Sequence, residues 1–320
     1  VEVFGNALTV GNRILEETRL LLEKDFKKDK KIALRHLTGE GMDPQHPDLK
    51  GRMVYTYNYI GRNQNGSDDC GHGTHICGII GGTGTASGGR YQGIAPGCHF
   101  VSLKVLDRMG NGNSKAVVEA LHWLIEHGKE YDVRIVNISM GSTAPQYSEK
   151  SGLLEAVEDA WDAGFVVCAA AGNQGPDRST ITIPGTSPKV ITVGSSDDNQ
   201  AVRVMGKRRA NYSGRGPTSA CICKPDVVAP GAYIISCNAA WRKPGAAAYT
   251  TKSGTSMATP VVAGGLALLL SGRRELTNKE VKQLLSVSCK NLGLPRNQQG
   301  WGMLCLPRLF ASSVCGCLKK

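Results

Sequence analysis

The 320-residue chain is poor in aromatics: only 6% of its residues are Phe, Trp or Tyr, with five phenylalanines set against 40 glycines. A core built from large rings is excluded, and tight turns and small-residue contacts are expected instead. No unbroken apolar run reaches the ~20 residues of a membrane-spanning helix, so no membrane partner is expected. Acidic excess is absent too, with 38 Lys and Arg against 27 Asp and Glu. The surplus is scattered in short runs: Lys27, Lys28, Lys30 and Lys31; Lys207, Arg208 and Arg209; Arg273 and Arg274. Neither a stacking platform nor a recognition helix accompanies them, so nucleic acid is not an expected partner and the runs read as solvated surface.

A disulfide framework is also missing. The cysteines number 11, an odd count, and Cys168 in FVVCAAAG and Cys237 in YIISCN sit inside apolar stretches, where a thiol acts as a small buried hydrophobe. That usage suits a reducing compartment, and a cytoplasmic location is the expectation. Cys221-Ile222-Cys223 and Cys315-Gly316-Cys317 lack the spacing of zinc ligands and have no nearby His, so neither implies a metal cofactor. The chain begins with Val and shows no charged-then-apolar secretory pattern, as a fragment or a processed chain would.

What is present suffices for a folded core, since 41% of the residues are apolar. Residues 1–36 read as an N-terminal segment, a leader remnant, in which Ile14, Leu15, Leu21, Leu22 and Phe26 fall at roughly helical spacing among charges. Residues 37–311 read as one domain, and 312–320 as a short Cys/Lys tail. Within the domain, VSLKVL (101–106), IVNIS (135–139), FVVCAAAG (165–172) and VITVGS (190–195) are compact and β-branched, as buried parallel strands are. Between the first two, Ser114 caps a predicted helix with an apolar stripe of Val117, Val118, Leu121, Leu124 and Ile125 and a stop at Gly128. Thr277-x-x-Glu280 is a capping box for a later helix. The predicted fold class is α/β: a three-layer, doubly wound, mainly parallel sheet with helices on both faces.

The seven histidines all lie at or before position 127. Gly254-Thr255-Ser256-Met257-Ala258 nearly matches a nucleophile elbow, but an α/β-hydrolase places its His after its Ser, which excludes that class here. If Ser256 is a nucleophile, its base comes from upstream, and His72 in Gly71-His72-Gly73-Thr74-His75 is the candidate because small residues leave it accessible. A pair of helix-start histidines, or an i,i+3 metal pair of His72 and His75, fits the same residues.

Further stretches discriminate. HPDL at 46–49, GHGTH at 71–75, NISMG at 137–141, AAAGNQGP at 169–176, GRGPT at 214–218, KPDVVAPG at 224–231 and SGTSMATP at 253–260 occur in the order of one family. Over roughly residues 43–310 the chain resembles the subtilases, the subtilisin-like serine peptidases, and among them the bacterial intracellular type. The resemblance implies a serine endopeptidase with Ser256 as nucleophile, His72 as general base and Asn173 as side-chain donor of the oxyanion hole. It implies a polypeptide substrate bound as an added strand against Gly110, Asn111 and Gly112 on one side and Ser139, Met140 and Gly141 on the other. Met140, Ala170, Ala171 and Gly172 would line the main pocket, which favours an uncharged side chain. The family often binds calcium and Asp48 matches a ligand position, but the loop at 81–91 lacks side-chain oxygens, so no metal is predicted. Cys70, two residues before His72, and Cys77 are candidates for thiol sensitivity, Cys77 equally for a buried helix thiol.

One family feature is lacking. The catalytic aspartate, in Asp-Thr-Gly or Asp-Ser-Gly, precedes the His of HPDL by seven residues, and counting back from His46 reaches Gly39. Matching Thr38-Gly39 instead puts Leu37 at the aspartate position, with Lys31-Ile32-Ala33-Leu34 as a shortened strand. A third alignment, the most economical, omits strand and aspartate altogether and would leave the neighbouring strands with unpaired buried amides. Glu40 and Asp43 are the nearby carboxylates that could substitute. In the subtilisin-type triad, loss of the aspartate alone lowers turnover by about 3 × 10⁴. The expectation is therefore an impaired serine endopeptidase, with an inactive peptide-binding pseudoprotease or decayed gene product as the alternative.

Overall fold

Short strands rich in Val, Ile and Ala gather into one parallel sheet, because such runs are apolar on both faces and need cover on both. The computed structural model describes residues 35–38, 41–61, 66–141, 152–204 and 206–312; the predicted N-terminal helix over 12–36 falls almost wholly outside the described residues, as do Glu40 and residues 313–320. Seven strands are hydrogen-bonded in the order β2-β3-β1-β4-β5-β6-β9. They are β1 (Arg35–Thr38), β2 (Met53–Asn58), β3 (His99–Lys104), β4 (Val133–Ile138), β5 (Val166–Ala170), β6 (Ile191–Ser195) and β9 (Val227–Ala229). Two antiparallel hairpins stand outside it: β7 (Val202–Val204) with β8 (Lys207–Arg209), and β10 (Ile234–Cys237) with β11 (Tyr249–Lys252).

The centre of the sheet differs from the most economical sequence alignment, which omitted the first strand. Arg35–Thr38 lies between β3 and β4, parallel to both, with Leu37 in register with Val101 and Val136 and Thr38 with Ser102. Four residues fill the slot, because the buried edges of β3 and β4 demand partners. Lys31 to Leu34, the segment expected to form this strand, lies outside the described residues.

The helices are α1 (His72–Gly81), α2 (Ser114–His127), α3 (Leu153–Asp162), α4 (Thr255–Gly272), α5 (Asn278–Ser288), α6 (Arg296–Gln299) and α7 (Leu306–Ala311). The predicted stripe on α2 buries Val117, Leu121 and Leu124. Its cap is Asn113 rather than Ser114: the Asn113 Oδ1 accepts the Ala116 N–H at 2.8 Å, and an amide oxygen one residue earlier reaches that orphan donor. The Thr277–Glu280 capping box opens α5 as expected. α4 packs against β4, β5 and β6, and against α1. By length and composition alone it could cross a membrane, which the sequence reading had not expected; 83% of it is buried inside the fold, as suits a core helix.

The β6–β9 edge is held by a buried ion pair. Lys224 Nζ, almost fully buried, donates to Asp226 Oδ2 at 2.5 Å and to the Val190 carbonyl at 3.0 Å, while the Thr192 N–H donates to the same carboxylate at 2.7 Å. Removing one partner strands a buried charge, which costs more than the pair itself contributes. Asp226→Ala is therefore expected to lower unfolding stability by about 3–5 kcal/mol; urea denaturation of the purified variant measures it.

Candidate active site

The site lies at the carboxyl ends of the central strands, where open α/β sheets bind ligands. α1 carries His72 as its first residue, half-buried, after Gly71 in the left-handed region (φ 78°). The helix has no capping side chain of its own at Gly71. Asp68 supplies one from the preceding loop: Oδ1 accepts the N–H groups of Cys70 (3.0 Å) and Gly71 (2.6 Å), and Oδ2 that of Thr74 (2.7 Å). These charge-assisted bonds fix the backbone on both sides of His72. Thr74 Oγ1 in turn accepts the Asp43 N–H at 2.9 Å, joining the first turn of α1 to the chain that follows β1.

His75 anchors the other face of α1. Fully buried, its Nε2–H is shared between the carbonyls of Ile234 (3.1 Å) and Thr250 (3.2 Å) on the β10–β11 hairpin, while Ser236 Oγ donates to the His75 carbonyl at 2.7 Å. Burial, followed by the charges of Lys252 and His72, pushes its pKa down to about 3. His75 is thus held neutral, with Nε2 anchoring α1 to the β10–β11 hairpin.

Ser256 is the second residue of α4 and half-buried. Asn173 follows β5 and is locked to it: Oδ1 accepts both the Thr255 N–H (2.9 Å) and the Thr255 hydroxyl (3.1 Å). With its oxygen so committed, the amide offers Nδ2 as the donor for a ligand. Gly254, at φ 144°, holds a backbone conformation that residues with a side chain rarely adopt, where the chain enters the helix. An amide donor and the positive end of a helix thus flank the hydroxyl, the arrangement that stabilises an oxyanion.

The remaining predicted residues divide into two groups. Gly141 and Gly172 face one side chain, Thr182: a Cβ on either would come within 2.5 Å of the Thr182 hydroxyl. Ala171 is buried beside them, Met140 is half-buried against the core, and Ser139 Oγ accepts from Asn137 Nδ2 at 2.9 Å. Gly110, Asn111 and Gly112 form an exposed turn after β3, closed by Asp107, whose Oδ1 accepts the Met109 and Asn111 N–H groups; among the described residues no hydrogen bond joins them to the others. Thr182 and Asp68 went unnoticed in the sequence because each acts through contacts with residues that no local pattern ties to it. The Thr182 hydroxyl is buried, with no hydrogen-bond partner among the described residues.

The two candidate substitutes for the missing aspartate fare differently. Asp43 is buried and fully engaged elsewhere: Arg242 Nη2 donates to both its oxygens (3.0 and 3.1 Å), Trp241 Nε1 donates at 2.9 Å and the Gln45 N–H at 3.0 Å. It is a structural anion. Glu40 lies outside the described residues.

A cation does not fit at HPDL. Asp48 Oδ1 accepts the Ala86 N–H at 2.8 Å, and Oδ2 accepts the Tyr249 hydroxyl at 2.8 Å and the Cys237 thiol. His46 uses both nitrogens, Nε2 donating to the Ala248 carbonyl (2.8 Å) and Nδ1 accepting the Asp48 N–H (3.2 Å). Burial and the Asp48 charge keep the Cys237 thiol protonated, its pKa raised well above the usual range. Although the three side chains cluster, every ligand atom is satisfied by the protein. Cys70 is half-buried and Cys77 buried.

The doubly wound sheet thus sets a serine at a helix N-terminus beside an amide donor and carries a histidine at the start of an earlier helix. The chain belongs to the subtilase family, whose pattern matches residues 37–302. It is 41% identical over 257 residues to serine protease AprX of Bacillus subtilis (strain 168), covering 75% of this chain and 57% of AprX. With subtilisin DY of Bacillus licheniformis it shares 33% identity over 255 residues, 79% of this chain and 82% of that one. Among solved structures, sphericase superposes with a TM-score of 0.73 at 26% identity, over 90% of this chain and 96% of that chain. The chain therefore spans little more than half the length of AprX.

The depressed His75 pKa carries a pH prediction. Between the unfolded value of about 6.5 and the folded value of about 3, the unfolded chain binds a proton that the folded chain excludes. Stability from this group is present above pH 6.5 and falls by up to about 1.4 kcal/mol per unit as pH drops through that window. Urea unfolding at pH 7 and pH 4.5 is expected to show a smaller acid loss for His75→Gln than for the unaltered chain.

Proposed function

We propose that this chain is a serine-type endopeptidase acting on polypeptides, with its hydrolysis slowed because Leu37 or Gly39 stands where the family places its catalytic aspartate. The observation that carries the first part is the Asn173–Thr255 lock, which sets an amide donor beside Ser256. In the proposed reaction Ser256 Oγ attacks the scissile carbonyl while its proton passes to the His72 imidazole. Asn173 Nδ2 donates to the oxyanion. The imidazolium then returns the proton to the leaving amine, and water repeats the sequence to release the acyl group.

The second part rests on β1. The central strand reads Arg35-His36-Leu37-Thr38, without an acid, and the buried Asp43 is already neutralised by Arg242. In the subtilisin-type triad the aspartate at the end of this strand holds the histidine tautomer and offsets its charge when it takes the proton, and β1 supplies no acid for that role. A binding framework without turnover is the competing reading, and it draws on the same strand.

For the substrate, the pocket bounded by Ser139, Met140, Gly141, Ala171 and Gly172 suits an uncharged side chain ahead of the scissile bond.

A fluorophosphonate probe separates these readings. Slow labelling that vanishes in Ser256→Ala is the expected result for the unaltered chain. Leu37→Asp, which recreates Asp-Thr-Gly with Thr38 and Gly39, is expected to raise peptide turnover by about 10³–10⁴. Turnover in the unaltered chain equal to that of Leu37→Asp would sink the impairment. No labelling in either protein, with both folded, would leave the binding framework.

A further inference from the structure

Among the described residues, the β7–β8 hairpin is a strongly basic feature that touches Asn173. Residues 201–212 hold Arg203, Lys207, Arg208 and Arg209 and no acid. Val202 and Val204 turn inward, buried with Tyr212 and Ala232, so the hairpin is seated by a small apolar cluster of its own. Its base is tied to both arms of the catalytic centre. Arg209, half-buried, donates from Nη1 to the Asn173 carbonyl at 3.3 Å. Tyr233 donates from its hydroxyl to the Ala201 carbonyl at 2.9 Å and from its backbone N–H to Ser253 Oγ at 2.9 Å, three residues before Ser256.

The outer face carries the anomaly. Arg203 pairs across the strands with Arg208, and both are exposed. Like charges directly opposite each other destabilise a strand pair, and natural hairpins place an acid there instead. Among the described residues, none of Arg203, Lys207, Arg208 and Arg209 has an ion-pair partner. A repulsive pair kept next to a catalytic centre calls for an anion from outside.

We propose that this hairpin binds acidic side chains of the polypeptide substrate. The inference rests on the endopeptidase reading above. Arg209, at the base of the hairpin, donates to the carbonyl of Asn173, the residue that offers the oxyanion donor, while Arg203 and Arg208 stand together on the opposite, exposed face. Attraction between exposed charges also raises the encounter rate and is screened by salt.

The test uses the Ser256→Ala protein, which makes it independent of turnover, and fluorescent decapeptides that share an uncharged residue ahead of the bond. They differ in a pair of positions on each side of it, Glu-Glu in one peptide and Ala-Ala in the other, and binding is read by anisotropy at 50 and 300 mM NaCl. The Glu-Glu peptide is expected to bind about tenfold more tightly at low salt, the combined effect of two exposed charge pairs, and to lose most of that advantage at high salt. Arg203→Ser with Arg208→Ser should abolish the preference while leaving the Ala-Ala peptide unaffected, and Arg203→Lys with Arg208→Lys should restore most of it. Equal binding of both peptides overturns the hairpin proposal and leaves the endopeptidase reading standing. Binding of neither overturns both. Tighter binding of an oligothymidylate than of the Glu-Glu peptide, lost in the serine variant, would assign the hairpin to nucleic acid and overturn the proposal as well.

Discussion

Backbone groups at the centre of a parallel sheet have no water to turn to, so the slot between β3 and β4 must be filled by a strand of some kind. In this chain Arg35–Thr38 fills it, pairing on both sides. The rest of the molecule depends on that pairing. β3 and β4 carry the loops that shape the site, and the chain leaving β1 delivers Asp43 to Thr74 at the first turn of α1. The requirement is indifferent to side chains: hydrogen bonding selects for extended backbone, and a leucine satisfies it as well as an aspartate would. The fold can thus survive a change that disables proton transfer.

The same indifference explains what sequence reading could and could not recover. Strands such as Val166–Ala170 and Ile191–Ser195 were legible to within a residue or two because they are continuous apolar runs. His72, Ser256 and Asn173 stand out in the sequence because each lies in a run of small residues whose order matches one family. The cap of α2 was misplaced by one residue because Asn113 and Ser114 are both good caps, and only geometry chooses between them. β1 was misjudged since four residues, two of them His and Arg, carry no strand periodicity, and tertiary pairing overrode local pattern. Thr182, Asp68 and Arg209 take their importance from partners distant in sequence or set in unpatterned loops.

Around HPDL the protein has settled charge internally. Asp48 and Asp43 are buried acids, yet each is surrounded by protein donors: Ala86, Tyr249 and Cys237 for the first, Arg242, Trp241 and Gln45 for the second. Both sets draw on the segment 237–249, the β10–β11 hairpin and its loop, which also holds α1 through His75. An isolated buried carboxylate would be costly, and multiple donors offset that cost. The segment around HPDL is therefore tied to α1 from two directions, by hydrogen bonds that need no cation.

Two layers underlie the proposed chemistry. The oxyanion donor would rest on Asn173, Thr255 and the helix terminus, supported by β5 and α4. Proton transfer would rest on His72 at the start of α1 and on the acid that the family sets near the position of β1. Since only interactions stronger in the transition state raise turnover, a site retaining the first and lacking the second still distinguishes a tetrahedral oxyanion from a planar carbonyl. Binding of a peptide needs neither, because it is carried by strand edges and pockets. In the proposed reading, recognition, oxyanion stabilisation and proton transfer are thus three separable layers, and the identity of residue 37 bears only on the last.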